Sequence, residues 1–195
     1  NELLDDDTDY VEILSIRNKY VENTLNELGL SGCWLDQEGI SKDWFKRKIK
    51  FCLRDQFIQS WHECVDGGGS FCNYRLFKTD FVREEYFSVL PHKCQITFLR
   101  FRTLNHRLPI QFGRFSYIPR HERLCTLCNS GDIGDEYHYL LVCSHLAETR
   151  KKFIPRHYFK YPNVIKFHNL MSSNCKVLLL KLVKFIREIQ NCFKR

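Results

Sequence analysis

Three cysteines and one histidine in the second half of the chain have the residue types and the spacing of a metal site. Cys125 and Cys128 are separated by two residues, His138 follows after nine more, and Cys143 after a further four. A Cys-x-x-Cys turn brings two thiolates to one point, and the His/Cys pair supplies the other two corners of a tetrahedron. Sulfur and imidazole ligands in this number favour zinc. We therefore predict one Zn²⁺ ion held by four side chains.

The predicted zinc ion is structural, because four protein ligands leave no open coordination position for water or substrate. Two alternatives stay open from the sequence: His145 replaces His138 or Cys143 as a ligand, or the cysteines are buried thiols beside a surface histidine. A redox Cys-x-x-Cys motif is typical of a βαβ setting, which the sequence does not indicate. The remaining cysteines have no comparable spacing and are interpreted as small apolar side chains: Cys33, Cys52, Cys64, Cys72, Cys94, Cys175 and Cys192.

The residues between the two ligand pairs predict how the chain surrounds the ion. Residues 129–135 are rich in turn formers, and residues 136–141 predict a helix that presents His138. Five residues along an ideal α-helix rotate by about 140°, so Cys143 cannot ligate from a straight continuation of that helix. We expect the helix to end or loosen before Cys143.

The rest of the chain predicts a mainly α fold, a helical domain with a small CCHC zinc-knuckle insertion at about residues 120–150. Apolar periodicity predicts helices over 8–28, 41–65, 80–90 and 91–104 and at the C-terminal end. The last helix has a stripe interpreted as core-facing, with a partner-binding groove as its second use: Leu178, Leu182, Phe185, Ile189 and Cys192. Glycines at 67–69 end the second helix, so we expect an N-terminal helical segment, 1–66, and a zinc-containing domain, 70–195.

Composition restricts the class of protein. The chain has 195 residues, 44% of them hydrophobic, which is enough to bury a core. The sequence has no run of 18 apolar residues and no leader at its start. We therefore expect an intracellular protein of the nucleus and cytoplasm, without a membrane partner, whose ten cysteines are thiols or metal ligands. The missing initial methionine suggests a piece of a longer protein.

Basic residues point to a polyanionic partner. Residues 31–195 contain 28 Lys and Arg against 15 Asp and Glu, a charge that attracts nucleic acid at long range. Residues 100–123 contain six arginines, no lysine and one acid, and arginine forks onto phosphate oxygens. The aromatic residues Phe112, Phe115 and Tyr117 interleave with them and can stack on unpaired bases. Contact with RNA or DNA is predicted for eight residues: Arg100, Arg102, Asn105, His106, Arg107, Arg114, Arg120 and Arg123.

Two segments resemble a known family. Residues 99–110 (LRFRTLNHRLPI), with Gly113-Arg114-Phe115, and residues 125–143 (CTLCNSGDIGDEYHYLLVC) resemble the region downstream of the polymerase in non-LTR retrotransposon reverse transcriptases of invertebrate animals. Residues 59–61 and 74–78 resemble the same family, so the similarity covers about residues 55–155. It implies a C-terminal zinc knuckle that grips template RNA and target DNA, with the four metal ligands named above and the polymerase domain of the same polyprotein as a further partner.

These patterns predict a non-catalytic, zinc-stabilised nucleic-acid-binding module. The paired aspartates of the polymerase and an endonuclease constellation are not found in the sequence, so no catalytic residue is predicted. The alternative is a zinc-stabilised helical protein-interaction module, from a relic or domesticated element, in which the acidic N-terminal helix or the C-terminal helix docks a partner. An enzyme is the weakest class, because the Asp, Glu and His residues form no evident catalytic group.

Overall fold

The computed structural model describes residues 6–36, 39–67 and 73–194, with the side chains given from residue 12 onward. Within these ranges the protein is mainly α-helical, as predicted, and has no strand longer than one isolated bridge. The chain divides into two compact units, Asn1–His62 and Glu63–Arg195, called here the first and second units. None of the described helices has the length and apolar character needed to cross a bilayer.

The first unit is built from three helices: α1 (Asp6–Glu27), α2 (Ser31–Leu35) and α3 (Lys42–Asp66), the last of which runs on past His62. Gly29, with φ of +67°, ends α1 in the left-handed conformation that glycine adopts without steric cost. Leu25, Leu28 and Leu30 form a small core. The predicted helices 8–28 and 41–65 are therefore confirmed.

The second unit contains seven α-helices among its described residues, joined by short 3₁₀ and π turns. The helices are α4 (Tyr86–Val89), α5 (His92–Arg102), α6 (Pro109–Phe115), α7 (Ala147–Phe153), α8 (Arg156–Phe159), α9 (Val164–Met171) and α10 (Lys176–Asn191). The predicted helix 80–90 is wrong over most of its length. The chain instead turns so that the Glu84 carboxylate reaches both Lys78 Nζ, at 3.1 Å, and Arg102 Nη2, at 3.0 Å.

Helix α10 lies at the centre of the second unit and packs against α5 and α7. Leu182, Phe185 and Ile189 are fully buried, so the core-facing interpretation of the stripe is confirmed for them. Cys192, by contrast, is exposed at the end of the helix. Because the unit's own core covers these three side chains, the alternative that the stripe forms a partner-binding groove has no support.

Candidate metal centre

Four ligand atoms converge in the second unit. The Sγ atoms of Cys125, Cys128 and Cys143 and a ring nitrogen of His138 all lie within 4.8 Å of one another. Cys125 Sγ is 3.5 Å from Cys128 Sγ and 3.9 Å from Cys143 Sγ, and Cys128 Sγ is 3.3 Å from His138 Nε2. A tetrahedral ion with metal–sulfur bonds of about 2.3 Å separates its sulfurs by about 3.8 Å. The cluster can therefore hold one metal ion, as predicted.

A tight turn positions the first two ligands. The Cys125 amide donates to the Asp132 carbonyl and the Gly134 amide to the Arg123 carbonyl, each at 2.8 Å, so the chain reverses direction between these pairs. Within the turn, the Leu127 amide points at Cys125 Sγ at 3.4 Å. An N–H dipole aimed at sulfur stabilises the thiolate that a metal requires. The turn thus brings both sulfurs together.

A widened helical turn positions the other two ligands. Residues His138–Val142 form a π turn, and the Cys143 amide donates to the His138 carbonyl five residues back, at 2.7 Å. In an α-helix the bond would reach only four residues back. The wider turn places Cys143 on the same side of the helix as His138. In a straight α-helix the two residues would lie about 140° apart around the axis. The expectation that the helix loosens before Cys143 is confirmed.

The cysteine ligands have opposed proton affinities. Burial alone would raise the pKa of the Cys128 thiol, but hydrogen bonds with Ser130, Cys125 and His138 outweigh it and hold the pKa at about 6. Burial, and then the charge of Cys125, raise the pKa of Cys143 to about 12. Adjacent buried thiolates repel each other, so without a cation at least one of these sulfurs keeps its proton. A divalent ion held by Cys125, Cys128, His138 and Cys143 would remove that conflict, because the cysteines would bind it as thiolates.

Two further residues near the cluster bear on the ligand set. The His145 side chain is exposed and does not belong to the four-residue cluster, so its use as a substitute ligand has no support. Asp132 Oδ2 lies 3.5 Å from His138 Nδ1, a buried nitrogen without a hydrogen-bond partner. A histidine that ligates through Nε2 usually donates its other N–H to a carboxylate, which fixes the ring orientation. Asp132 is the group placed to accept that bond.

A buried polar network that the sequence did not reveal supports the π turn. The side chain of His106 is fully buried, and its Nε2 lies 2.5 Å from Glu136 Oε1. Asn73 donates to the other oxygen of Glu136, and Asp135 Oδ1 accepts from the His138 amide at 3.0 Å. The predicted nucleic-acid contact of His106 is therefore wrong, because its ring is occupied inside the protein.

Arg102 is a second correction among the predicted nucleic-acid residues. The side chain is 2% exposed, and it donates to Glu84 and to the Met171 carbonyl, both at 3.0 Å. Its guanidinium also lies 4.6 Å from the ring centroid of Phe77 and 5.2 Å from that of Tyr86. Burial lowers the pKa of Arg102, and the charge of Glu84 opposes that shift. An arginine enclosed in this way has no donor to offer a phosphate.

The six other predicted residues are wholly or partly accessible. Arg100, Asn105 and Arg107 are exposed. Arg114 is half-buried, with its guanidinium 5.3 Å from the ring centroid of Phe115. Arg120 lies 3.5 Å from Asp135, and Arg123 donates to the carbonyls of Ile118 and Ile110. The six are Arg100, Asn105, Arg107, Arg114, Arg120 and Arg123.

Comparisons with protein-family models, curated proteins and solved structures give no significant match to this chain.

Proposed function

We propose that the chain is a non-catalytic nucleic-acid-binding module, stabilised by one structural Zn²⁺ ion on Cys125, Cys128, His138 and Cys143, from a non-LTR retrotransposon reverse transcriptase. Three sulfurs and one imidazole are the donor set that zinc favours in closed tetrahedral sites. The sequence resemblance over residues 55–155 supports the family. In such an element the module would hold template RNA or target DNA for the polymerase domain.

The observation that carries the nucleic-acid part of the proposal is a set of accessible arginines in the second unit. Arg100 and Arg107 are exposed, and Arg114 is half-buried. The whole second unit has 22 Lys and Arg against 11 Asp and Glu. This excess attracts a polyanion, and guanidinium groups bind phosphate through paired hydrogen bonds.

The test is a salt titration of the binding affinity, with the metal content measured on the same sample. We expect one zinc ion per chain and an affinity for RNA or DNA that falls steeply as salt rises. Replacing Arg100, Arg107 and Arg114 by Ala should weaken binding and lower the salt slope by about 1 for each phosphate that is no longer bound. An affinity that does not change with salt would contradict the proposal.

A charge-matched control separates a defined surface from the general charge. Lys151, Lys152 and Arg156 are exposed cations on α7 and α8, and replacing all three by Ala removes the same charge. We expect a clearly smaller loss of affinity than for the arginine triple variant. Equal losses would show that only the net charge of the unit attracts nucleic acid.

The second candidate function is protein interaction through the first unit. Ile13, Ile16 and Tyr20 are spaced by three and four residues on α1, and all three are more than 60% exposed. A stripe of exposed apolar side chains on one helix face is typical of a docking surface. The polymerase domain of the same polyprotein is the partner proposed for it. An Ile16→Asp variant that loses this association and keeps nucleic-acid binding would favour the second function.

A further inference from the structure

A groove beside the metal cluster combines positive charge with exposed aromatic surface. It has a volume of about 760 Å³ and lies between α6, the Cys-x-x-Cys turn and the residues after α10. Arg107, Arg123 and Lys194 line it together with one acid, Glu122. The volume falls within the range of sites for small organic ligands, about 300–1,000 Å³. The groove is therefore large enough to hold a ligand, and the excess of cations in its lining favours an anion.

The apolar lining of the groove is partly open to solvent. Phe112 projects from α6 into the groove and is 59% exposed, and Leu124 is 41% exposed. Leu127 and Phe193 also belong to the apolar lining. An accessible ring beside cations is the arrangement that holds single-stranded nucleic acid, because the ring stacks on a base while the cations bind the backbone. Paired bases offer no free face to such a ring.

The backbone fixes the shape of the groove through Gly113 and Arg123. The Arg123 side chain crosses α6 at Gly113, where a Cβ atom would lie 2.7 Å from Arg123 Cγ. From there Arg123 donates to the carbonyls of Ile118, at 2.8 Å, and Ile110, at 2.9 Å. These bonds join α6 to the segment that leads into the metal turn. The groove is thus preformed, which lowers the entropic cost of binding.

We propose that this groove binds an unpaired segment of RNA or DNA, with one base stacked on Phe112 and the flanking phosphates held by Arg107 and Lys194. This inference rests on the proposed function, and it adds the site, the strandedness of the ligand and the stacking residue. Thr126 and Leu127, between the two cysteines of the metal turn, form one wall. We therefore expect loss of an ion from this turn to disturb the wall and to weaken binding.

Phe112 and Phe115 form a matched pair for the test. Both are exposed rings on α6, at 59% and 67%, and only Phe112 lines the groove. Fluorescence anisotropy of the zinc-loaded full chain is measured with a uridine homopolymer, a thymidine homopolymer and a duplex DNA. We expect Phe112→Ala to weaken binding to either single strand by about 5- to 150-fold. Phe115→Ala should lose clearly less affinity than Phe112→Ala, and Phe112→Trp should bind at least as well as the wild type.

The charged residues give an independent measurement. Arg107→Gln and Lys194→Gln should each reduce the salt slope for the single strands by about 1, as expected for one phosphate contact. Thermal unfolding and metal content equal to those of the wild type establish that the Phe112→Ala protein is folded.

Three outcomes would overturn the groove assignment while leaving the proposed function intact. In the first, Phe112→Ala binds the single strands as tightly as the wild type. In the second, Phe112→Ala and Phe115→Ala lose the same binding affinity. In the third, Phe112→Ala loses as much affinity for the duplex as for the single strands. A wild-type protein that binds none of the three ligands at low salt would instead refute the proposed function itself, and the groove assignment with it.

Discussion

Glu136→Gln preserves the shape of a buried side chain but replaces one of its two acceptor oxygens by an NH₂ group. His106 Nε2 and Asn73 Nδ2 both bond to the Glu136 carboxylate. The His106 ring cannot exchange its roles, because Nδ1 already accepts the Leu108 amide at 3.3 Å. A glutamine offers one oxygen and one NH₂ group, so one of the two donors must face another donor.

The size of the effect follows from these contacts. Losing one hydrogen bond to a charged group costs about 1.5–3 kcal/mol, and the unsatisfied buried donor adds about 1–3 kcal/mol. We therefore expect the free energy of unfolding of the second unit to fall by about 3–5 kcal/mol. For a unit of about 130 residues this lowers its Tm by about 10–20 °C.

The measurement is urea unfolding of the zinc-loaded protein, followed by far-ultraviolet circular dichroism and tyrosine emission. Tryptophan emission serves as an internal reference, because Trp34, Trp44 and Trp61 all lie in the first unit. The control is Glu148→Gln, which removes an exposed carboxylate paired with Lys151 and should cost no more than about 0.5 kcal/mol. A Glu136→Gln loss no larger than that of the control would refute the described His106–Glu136 contact.

Three further predictions concern single residues. Free zinc at 1,000 times its Kd should stabilise the wild-type second unit by about 4 kcal/mol, measured as a shift of its thermal unfolding curve. The same zinc concentration should shift the curve of Cys143→Ser, which lacks one ligand, much less. Arg102→Met should destabilise the unit by about 1.5–3 kcal/mol in denaturant unfolding, because it removes the charged donor of the Met171 carbonyl and one of the two cations that contact Glu84. Arg100→Met, at an exposed site, should stay within about 0.5 kcal/mol. Tyr117 has φ of +55°, which strains a non-glycine residue, and its side chain is 94% exposed. Tyr117→Gly should therefore raise the free energy of unfolding by up to about 1 kcal/mol. A loss of stability would contradict this.

The metal ligands and the long helices could be predicted because their signals are local. Cysteine spacing fixes a ligand geometry over a few residues, and apolar periodicity marks α1, α3 and α10 along their own lengths. The helix predicted over 80–90 failed for the opposite reason. Its residues permit a helix, but Glu84 bonds to Arg102, 18 positions further along the chain, and that contact determines the local path.

Long-range partners also explain why two nucleic-acid predictions were wrong. Arginine and histidine on a basic segment look alike whether they face solvent or the core. Arg102 bonds to Met171 and His106 to Glu136, which are 69 and 30 positions away. A local signal for Arg102 did exist, since it follows the buried Phe98 by four residues on α5 and so shares its face. His106 has no such signal, because it lies in a loop between α5 and α6.

The distribution of apolar residues explains why this unit would use a metal at all. Its main core, around α5 and α10, contains fully buried side chains such as Phe98, Leu182 and Phe185. Between residues 123 and 135, by contrast, the only buried side chains are those of Cys125 and Cys128. An irregular loop with so little apolar surface cannot offset the entropy of its own ordering. A metal ion on the four ligands would supply that stability locally. Its removal should then release this loop, and the groove wall it carries, while α5 and α10 remain packed.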